Sequence, residues 1–277
     1  MPELPEIETV KLQLQKVLVG QKCLQSDFVQ INSKRVLGID RKGKVLLINF
    51  GKNLDLGFHF KMTGQLIYDD GKKRIAGGHP SEDFIAKLPN KHTRAVFKFE
   101  KGKLFFNDMR KFGWVKLNPM FTSILGEDAL TMTETKFIES LRKLKAPIKS
   151  VIMNQEIVAG VGNIYANDAL WEARINPRIP SCQLSVDQLT VLLKKIILVL
   201  KEGIKYGGAS MSDYVDTKGQ GGRYQNHFRV YNRQNLPCLR CKTKIKRIVL
   251  GGRGTYYCPQ CQAEIFSDNI VNNGRSK

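Results

Sequence analysis

The sequence predicts an α+β fold in which an N-terminal helix leads into a β-sandwich domain, followed by a helical domain and a cysteine-bearing module. Three observations carry this prediction. Residues 3–18 place Ile7, Val10, Leu14, Val17 and Leu18 at helical spacing, and Gly20 supplies the stop. Over residues 24–117 the texture changes to short β-prone runs such as Val45-Leu46-Leu47-Ile48 and Ala95-Val96-Phe97-Lys98-Phe99. Turn signals at Gly51-Lys52-Asn53 and Glu100-Lys101-Gly102-Lys103 punctuate them. Helical patterns then dominate residues 134–206, before a Gly-rich stretch over 207–222 and a module with four of the six cysteines. The expected division is a β-sandwich domain over 1–120, a linker over 121–135, a helical domain over 136–228 and the cysteine module over 229–277.

Charge limits the partners. Forty-five Lys and Arg face twenty-five Asp and Glu, a net charge of +20. A surface with that field attracts polyanions, nucleic acid ahead of an anionic membrane. The most hydrophobic stretch, residues 189–200, is interrupted by Lys194 and Lys195 and is too short to span a bilayer, so it predicts a core helix. Glu3, Glu6 and Glu8 crowd the start, where a secretory signal would need an apolar run. The expected compartment is therefore the cytoplasm, where thiols stay reduced.

The cysteines then read as a metal site. Cys238, Cys241, Cys258 and Cys261 form C-x2-C-x16-C-x2-C, and each two-residue gap aims a pair of thiolates at one tetrahedral ion. Four thiolates close the coordination sphere, so the expectation is one structural Zn2+. Cys23 and Cys182 lack metal-spaced neighbours and are expected to be small buried hydrophobes.

At the N-terminus stands Met1-Pro2-Glu3-Leu4-Pro5-Glu6. Removal of Met1 would free the secondary amine of Pro2, which titrates near about 8 and can attack an electrophilic sugar carbon to form an iminium. Glu3 and Glu6, three apart, share a face beside that amine, and one of them could serve as general acid. Taken alone, this composition favours the plainer account of a well-made helix start, acidic at the positive end of the dipole.

As an ordered set, however, the motifs resemble the formamidopyrimidine-DNA glycosylase family over nearly the whole chain. Pro2-Glu3-Leu4-Pro5-Glu6 resembles its opening, and Arg41-Lys42-Gly43-Lys44 its catalytic-lysine segment. His59-Phe60-Lys61-Met62-Thr63-Gly64 is similar to the turn with the intercalating Met, and Asp108-Met109-Arg110-Lys111-Phe112-Gly113 to the second intercalation loop. Gly160-Val161-Gly162-Asn163-Ile164-Tyr165 matches the helix–two-turn–helix signature, and residues 251–259 the zinc-finger hairpin. The family usually has Pro where Met109 stands and a second Arg in place of Lys111; Phe60 and Lys61 also depart from it. These changes keep charge or bulk and bear on fine positioning.

The resemblance implies a bifunctional repair enzyme, a monomer acting on double-stranded DNA with oxidised bases or abasic sites, associated with a bacterial-type nucleoid. The damaged nucleotide must leave the stack. Met62, Arg110 and Phe112 would fill the hole. Pro2 would displace the base at C1′ while Glu3, supported by Glu6, protonates the opening sugar, and β- and δ-elimination would follow. Lys44 and Arg253 would move protons or orient phosphates; an arginine suits the second task, as a bidentate phosphate clamp. His59, His92, Lys145, Lys149 and Asn163 would contact DNA. The backbone N–H groups of the 160–163 turn are expected to be open to an anion, and residues 213–226 correspond to the family's loop over the flipped base. Two other readings remain: an endonuclease VIII-type enzyme for oxidised pyrimidines, which typically has Gly where Leu4 stands, and a non-catalytic zinc-ribbon protein, against which Pro2, Glu3 and Lys44 together argue.

Overall fold

A computed structural model describes residues 1–78, 83, 85–209 and 222–263. Helix α1 (Leu4–Leu18) starts with Pro5 in its first turn and buries Ile7, Val10, Leu14 and Leu18 along one side. It ends at Gly20, which takes the left-handed φ of +85° that glycine tolerates best.

Among the described residues, nine strands follow. Strands β1 (Cys23–Gln25), β5 (Gly64–Asp69), β6 (Arg74–Gly78), β7 (Thr93–Phe99) and β8 (Gly102–Asp108) form one sheet in the order β1-β7-β8-β5-β6. Strands β2 (Gly38–Lys42), β3 (Val45–Asn49), β4 (Asp55–His59) and β9 (Trp114–Leu117) form a second, ordered β2-β3-β4-β9. All pairings within both sheets are antiparallel. Alternate residues supply one core between the sheets: Ile39, Leu46, Ile48 and Phe58 from one, Leu66, Phe97, Leu104 and Phe106 from the other. Helix α1 closes this core with Ile7, Val10, Leu14 and Leu18.

The stretch read as a linker contains β10 (Glu127–Asp128), which pairs in parallel with β11 (Val158–Ala159). Helices α2 (Glu134–Leu141), α3 (Ile148–Ile152), α4 (Asn163–Glu172) and α5 (Val186–Lys205) build the second core. The hydrophobic stretch at 189–200 lies within α5, capped by Ser185 and Gln188, with Leu189, Leu192, Leu193, Ile196, Val199 and Leu200 inward. Its Lys194 is exposed, which is how an interrupted apolar run becomes an amphipathic helix. Leu4, the first residue of α1, is buried in this second core rather than the first. The N-terminus therefore crosses from one domain into the other.

The hairpin β12 (Lys246–Leu250) and β13 (Arg253–Tyr257) closes the described chain. Cys23 is buried as expected, but Cys182 is exposed, because it lies in a short surface turn before α5. Of the loop expected over a flipped base, 213–226, residues 213–221 lie outside the described residues, as does the end of the cysteine module beyond 263.

Candidate active site and nucleic-acid interface

The seam between the two cores gathers the ionisable groups. Glu3 has extended backbone geometry just ahead of α1, and its side chain turns toward the start of α4. There Oε1 accepts the Ile164 N–H at 2.9 Å, with the Tyr165 N–H at 3.5 Å from Oε2. Gly162, the N-cap of α4, has no side chain for this task; a Cβ there would lie 2.1 Å from the Glu3 carboxyl carbon. Gly160, at φ +102°, would likewise meet Leu4 Cδ1 at 2.4 Å, while its carbonyl accepts the Leu4 N–H at 3.2 Å. The double-glycine turn is thus shaped to receive the N-terminal segment. Glu3 thus takes the N–H groups of Ile164 and Tyr165, just inside α4, and within the 160–163 turn the Gly160 N–H donates to Gln155 Oε1 at 2.9 Å.

Glu6 braces the same point. Its Oε2 accepts the Glu3 N–H at 2.8 Å, and its Oε1 takes the Tyr165 hydroxyl at 2.8 Å and the Ala209 N–H at 2.7 Å. Pro2 is buried beside this junction. With Met1 attached its nitrogen is a tertiary amide, and only loss of Met1 makes it an amine.

Lys44 occupies the tight turn between β2 and β3 and is buried. Burial pulls its ammonium pKa down, the charges of Glu3 and Glu6 oppose that pull, and Arg253 adds to it. Burial pushes the Glu3 carboxyl up, against Lys44 and the two N–H donors. Burial thus drives this carboxyl and this ammonium each toward its neutral form, while their mutual attraction opposes both shifts.

The turn holding Lys44 is itself fixed. Arg41 Nε donates to Glu8 on α1 at 2.7 Å, its Nη1 donates to the Gly43 carbonyl at 3.0 Å, and its guanidinium also pairs with Asp128 on β10. Asp128 in turn accepts the Gly43 N–H at 3.1 Å. Asp128 carried no signal in the sequence, because its partner lies 87 residues away.

Lys149 differs from a surface charge. Its side chain is buried, and Nζ donates to Asn163 Oδ1 at 2.7 Å, Thr255 Oγ1 at 2.7 Å and the Gly254 carbonyl at 3.0 Å. Burial lowers its pKa to about 7, with Glu3 opposing and Arg253 assisting. All three of its N–H donors are engaged, so a phosphate could bind it only by displacing one of these partners. Lys145 and Arg253, by contrast, are exposed. The turn Gly251-Gly252 sets Arg253 at the start of β13, where its charge reaches both Lys44 and Lys149. Behind the site, fully buried Asp168 accepts the Val230 N–H at 3.0 Å, the Tyr231 N–H at 3.2 Å and the Tyr224 hydroxyl at 3.2 Å. The Tyr224 ring stacks on Tyr165 at 4.9 Å.

Away from the seam, Met62, Met109, Arg110 and Phe112 are exposed on two neighbouring loops of the sandwich. The Arg110 guanidinium lies 4.9 Å from the Phe112 ring centroid. His59 is buried, with Nδ1 accepting the Lys61 N–H at 3.0 Å, and burial together with Lys61 and Lys44 lowers its pKa to about 4. It is therefore neutral, with the proton on Nε2. His92 holds Asp83 through Nδ1 at 2.9 Å.

The four module sulfurs lie within 4.8 Å of one another, with Cys238 to Cys261 at 3.9 Å and Cys241 to Cys258 at 3.3 Å. A tetrahedral Zn2+ with bonds of about 2.3 Å needs sulfurs about 3.8 Å apart. The backbone N–H of Arg240 and the Trp171 indole both donate to Cys238 Sγ at 3.4 Å, as suits a thiolate. The site fits one zinc ion.

Three family models match the chain in order: the formamidopyrimidine-DNA glycosylase N-terminal domain over residues 1–115, the formamidopyrimidine-DNA glycosylase H2TH domain over 125–215, and the zinc finger found in FPG and IleRS over 235–263. The formamidopyrimidine-DNA glycosylase of Pelotomaculum thermopropionicum is 38% identical over 95% of this chain and 99% of its own length. That of Solibacter usitatus is 35% identical with the same coverage. Among solved structures, the Lactococcus lactis Fpg in complex with abasic-site DNA superposes with a TM-score of 0.81 at 33% identity, covering 95% of this chain and 100% of that one. The Thermus thermophilus MutM (FPG) protein superposes with a TM-score of 0.81 at 31% identity, covering 95% and 99%.

Proposed function

Because the chain belongs to the formamidopyrimidine-DNA glycosylase family, we propose that this DNA repair glycosylase excises oxidised purines, 8-oxoguanine and formamidopyrimidines, and then cuts the strand as an abasic-site lyase. The observation that carries this reading is the Glu3 carboxyl, one residue from Pro2, buried and pushed toward its protonated form beside Lys44. A general acid at that position has no use without a reacting group at its neighbour.

The reaction begins on the mature chain, with Met1 removed. The Pro2 nitrogen gives its lone pair to C1′, and the electrons of the C1′–N9 bond leave with the base. The amine loses its single proton. As the C1′–O4′ bond opens, the nitrogen lone pair closes a C1′=N iminium and Glu3 delivers a proton to O4′. Loss of the C2′ proton feeds electrons into the iminium and expels the 3′ phosphate; a second elimination expels the 5′ phosphate. Lys44, drawn toward its neutral form, is the proton carrier suited to these steps, and Arg253 is the phosphate clamp. Met62, Arg110 and Phe112 occupy the space of the flipped nucleotide. His59, His92, Lys145, Lys149 and Asn163 steady the backbone, Lys149 indirectly, through the hairpin it holds. Cys238, Cys241, Cys258 and Cys261 would hold one zinc ion, which would supply structural support to that hairpin.

Borohydride trapping on an 8-oxoguanine·cytosine duplex, after intact mass has shown Met1 absent, tests the reading. The parental protein is expected to cross-link, with weaker trapping on an oxidised-pyrimidine duplex. Glu3→Gln should lose excision by about a hundredfold or more yet keep much of its cleavage at a preformed abasic site, where no base has to leave. Equal trapping by protein that retains Met1, or excision by Glu3→Gln at the parental rate, would overturn the Pro2 mechanism.

A further inference from the structure

Asp108 is a buried carboxylate outside the reactive seam, and its bonds converge from loops distant in sequence. It ends β8, directly paired with Gly64 of β5, the residue that closes the turn holding Met62. Its Oδ1 accepts the hydroxyl of Thr63 from that turn and the N–H of Arg110 at 3.1 Å from the next loop. Oδ2 accepts the Gly113 N–H at 2.6 Å, closing the far end of the same loop. The Thr63 hydroxyl in turn accepts the Arg110 N–H at 3.1 Å. The Asp108 backbone N–H donates to the His92 carbonyl at 2.9 Å, so a third turn joins the same point. Lys61 and Lys111, one in each wedge loop, both hold left-handed φ, at 47° and 60°. Two strained tips (Lys61-Met62 and Arg110-Lys111-Phe112) are thus anchored to one carboxylate.

We propose that Asp108, acting through Thr63, is a positioning residue that makes the Met62 turn and the Arg110–Phe112 loop insert into DNA as one unit. The proposal rests on the assignment of these loops as wedges in the proposed function. The physical argument is cost. An isolated exposed loop loses conformational freedom when it enters a base stack, and two independent loops lose it twice. A shared carboxylate, hydrogen-bonded to both loops, orders both tips before DNA arrives, so the second wedge enters at little further cost. It also fixes the distance between the residue on the lesion strand side and the guanidinium meant for the orphaned base.

The test uses the full-length protein and a duplex with the non-cleavable tetrahydrofuran abasic analogue, carrying 2-aminopurine as the orphaned base. Insertion unstacks the 2-aminopurine and raises its fluorescence, whether or not the protein has any chemistry. Thr63→Val keeps the shape and removes the hydroxyl; Thr63→Ser restores it. In the parental protein Met62→Ala and Arg110→Ala should each weaken the insertion-dependent affinity, and the double variant should be weaker or stronger than the product of the singles by roughly tenfold, as for coupled sites. In Thr63→Val that coupling should fall to within about twofold of none, while Thr63→Ser keeps it. Undiminished coupling in Thr63→Val overturns the proposal and leaves the wedge assignment standing. No fluorescence rise with the parental protein overturns both. Asp108→Asn should behave as Thr63→Val, and parental coupling in folded Asp108→Asn would likewise overturn the proposal.

Discussion

His59 is a residue whose protonation is set by burial. It is packed between Trp114, at 5.6 Å, and Phe121, at 6.1 Å, with the positive charges of Lys61 and Lys44 nearby. These hold its folded pKa at about 4, below its ordinary 6.5. The unfolded chain therefore binds a proton that the folded chain refuses between those two values, and stability falls as pH drops through that window. From pH 7 to pH 5 the loss attributable to this one ring is about 2 kcal/mol. Urea unfolding of His59→Gln is expected to lose correspondingly less over the same interval than the parental protein; an identical loss would mean that the ring titrates normally. Residue chemistry of this kind was only half legible in sequence. His59 and Lys149 could be picked out by motif, but their environment could not. Nothing in the local sequence around Lys149 says that Thr255, 106 residues away, accepts one of its hydrogen bonds.

At the level of elements, the informative object is the start of α4. The sequence shows two glycines ahead of an Asn, a pattern that reads as a helix start open to an anion. That Glu3, 161 residues earlier, takes the Ile164 N–H just inside this start is a tertiary fact, because it depends on α1 reaching over from the other core. The same geometry gives a sharp expectation. In Gly162→Ala the new Cβ would lie 2.1 Å from the Glu3 carboxyl carbon, so the carboxyl must leave its N–H donors. Excision should then fall about as far as in Glu3→Gln, roughly a hundredfold. Gly38→Ala, where nothing lies within 4 Å of the added methyl, is the matched control and should excise normally. Parental excision by Gly162→Ala would show that the Glu3 position does not matter to the reaction. The helices and strands themselves were easier to read than such contacts. The apolar spacing of α1 and the alternation in β7 are local signals, whereas the parallel pairing of β10 with β11, two residues each, leaves none.

For the molecule as a whole, the question is how a basic chain of two cores and a metal module holds one DNA-facing surface in register. The module docks on α4 through few but specific contacts. The Arg240 guanidinium stacks 3.6 Å from the Trp171 ring, donates to the Trp171 carbonyl at 2.6 Å and pairs with Glu172 at 2.8 Å. The Trp171 indole N–H, in return, donates to Cys238 Sγ at 3.4 Å. The Cys238 sulfur, one of the four that would hold zinc, is thus hydrogen-bonded directly to α4, the helix whose first turn holds Glu3. The module's small apolar cluster, Trp171, Val230, Cys238, Ile245 and Cys258, is too slight to persist without the metal. Removing zinc should therefore free Arg240 and Trp171 together and release the hairpin that carries Arg253 and the Lys149 partners Gly254 and Thr255. The chain has two tryptophans, so Trp114→Phe leaves Trp171 as the sole reporter. Chelation of that variant should shift its emission to longer wavelength and weaken duplex binding, and added zinc should reverse both. The β-sandwich, with its separate core, should keep its own unfolding transition throughout. Cys241→Ala should reproduce the chelated state without chelator. Unchanged Trp171 emission and intact DNA binding, in protein shown by elemental analysis to have lost its zinc, would mean that the docking contacts and not the metal hold the hairpin in place.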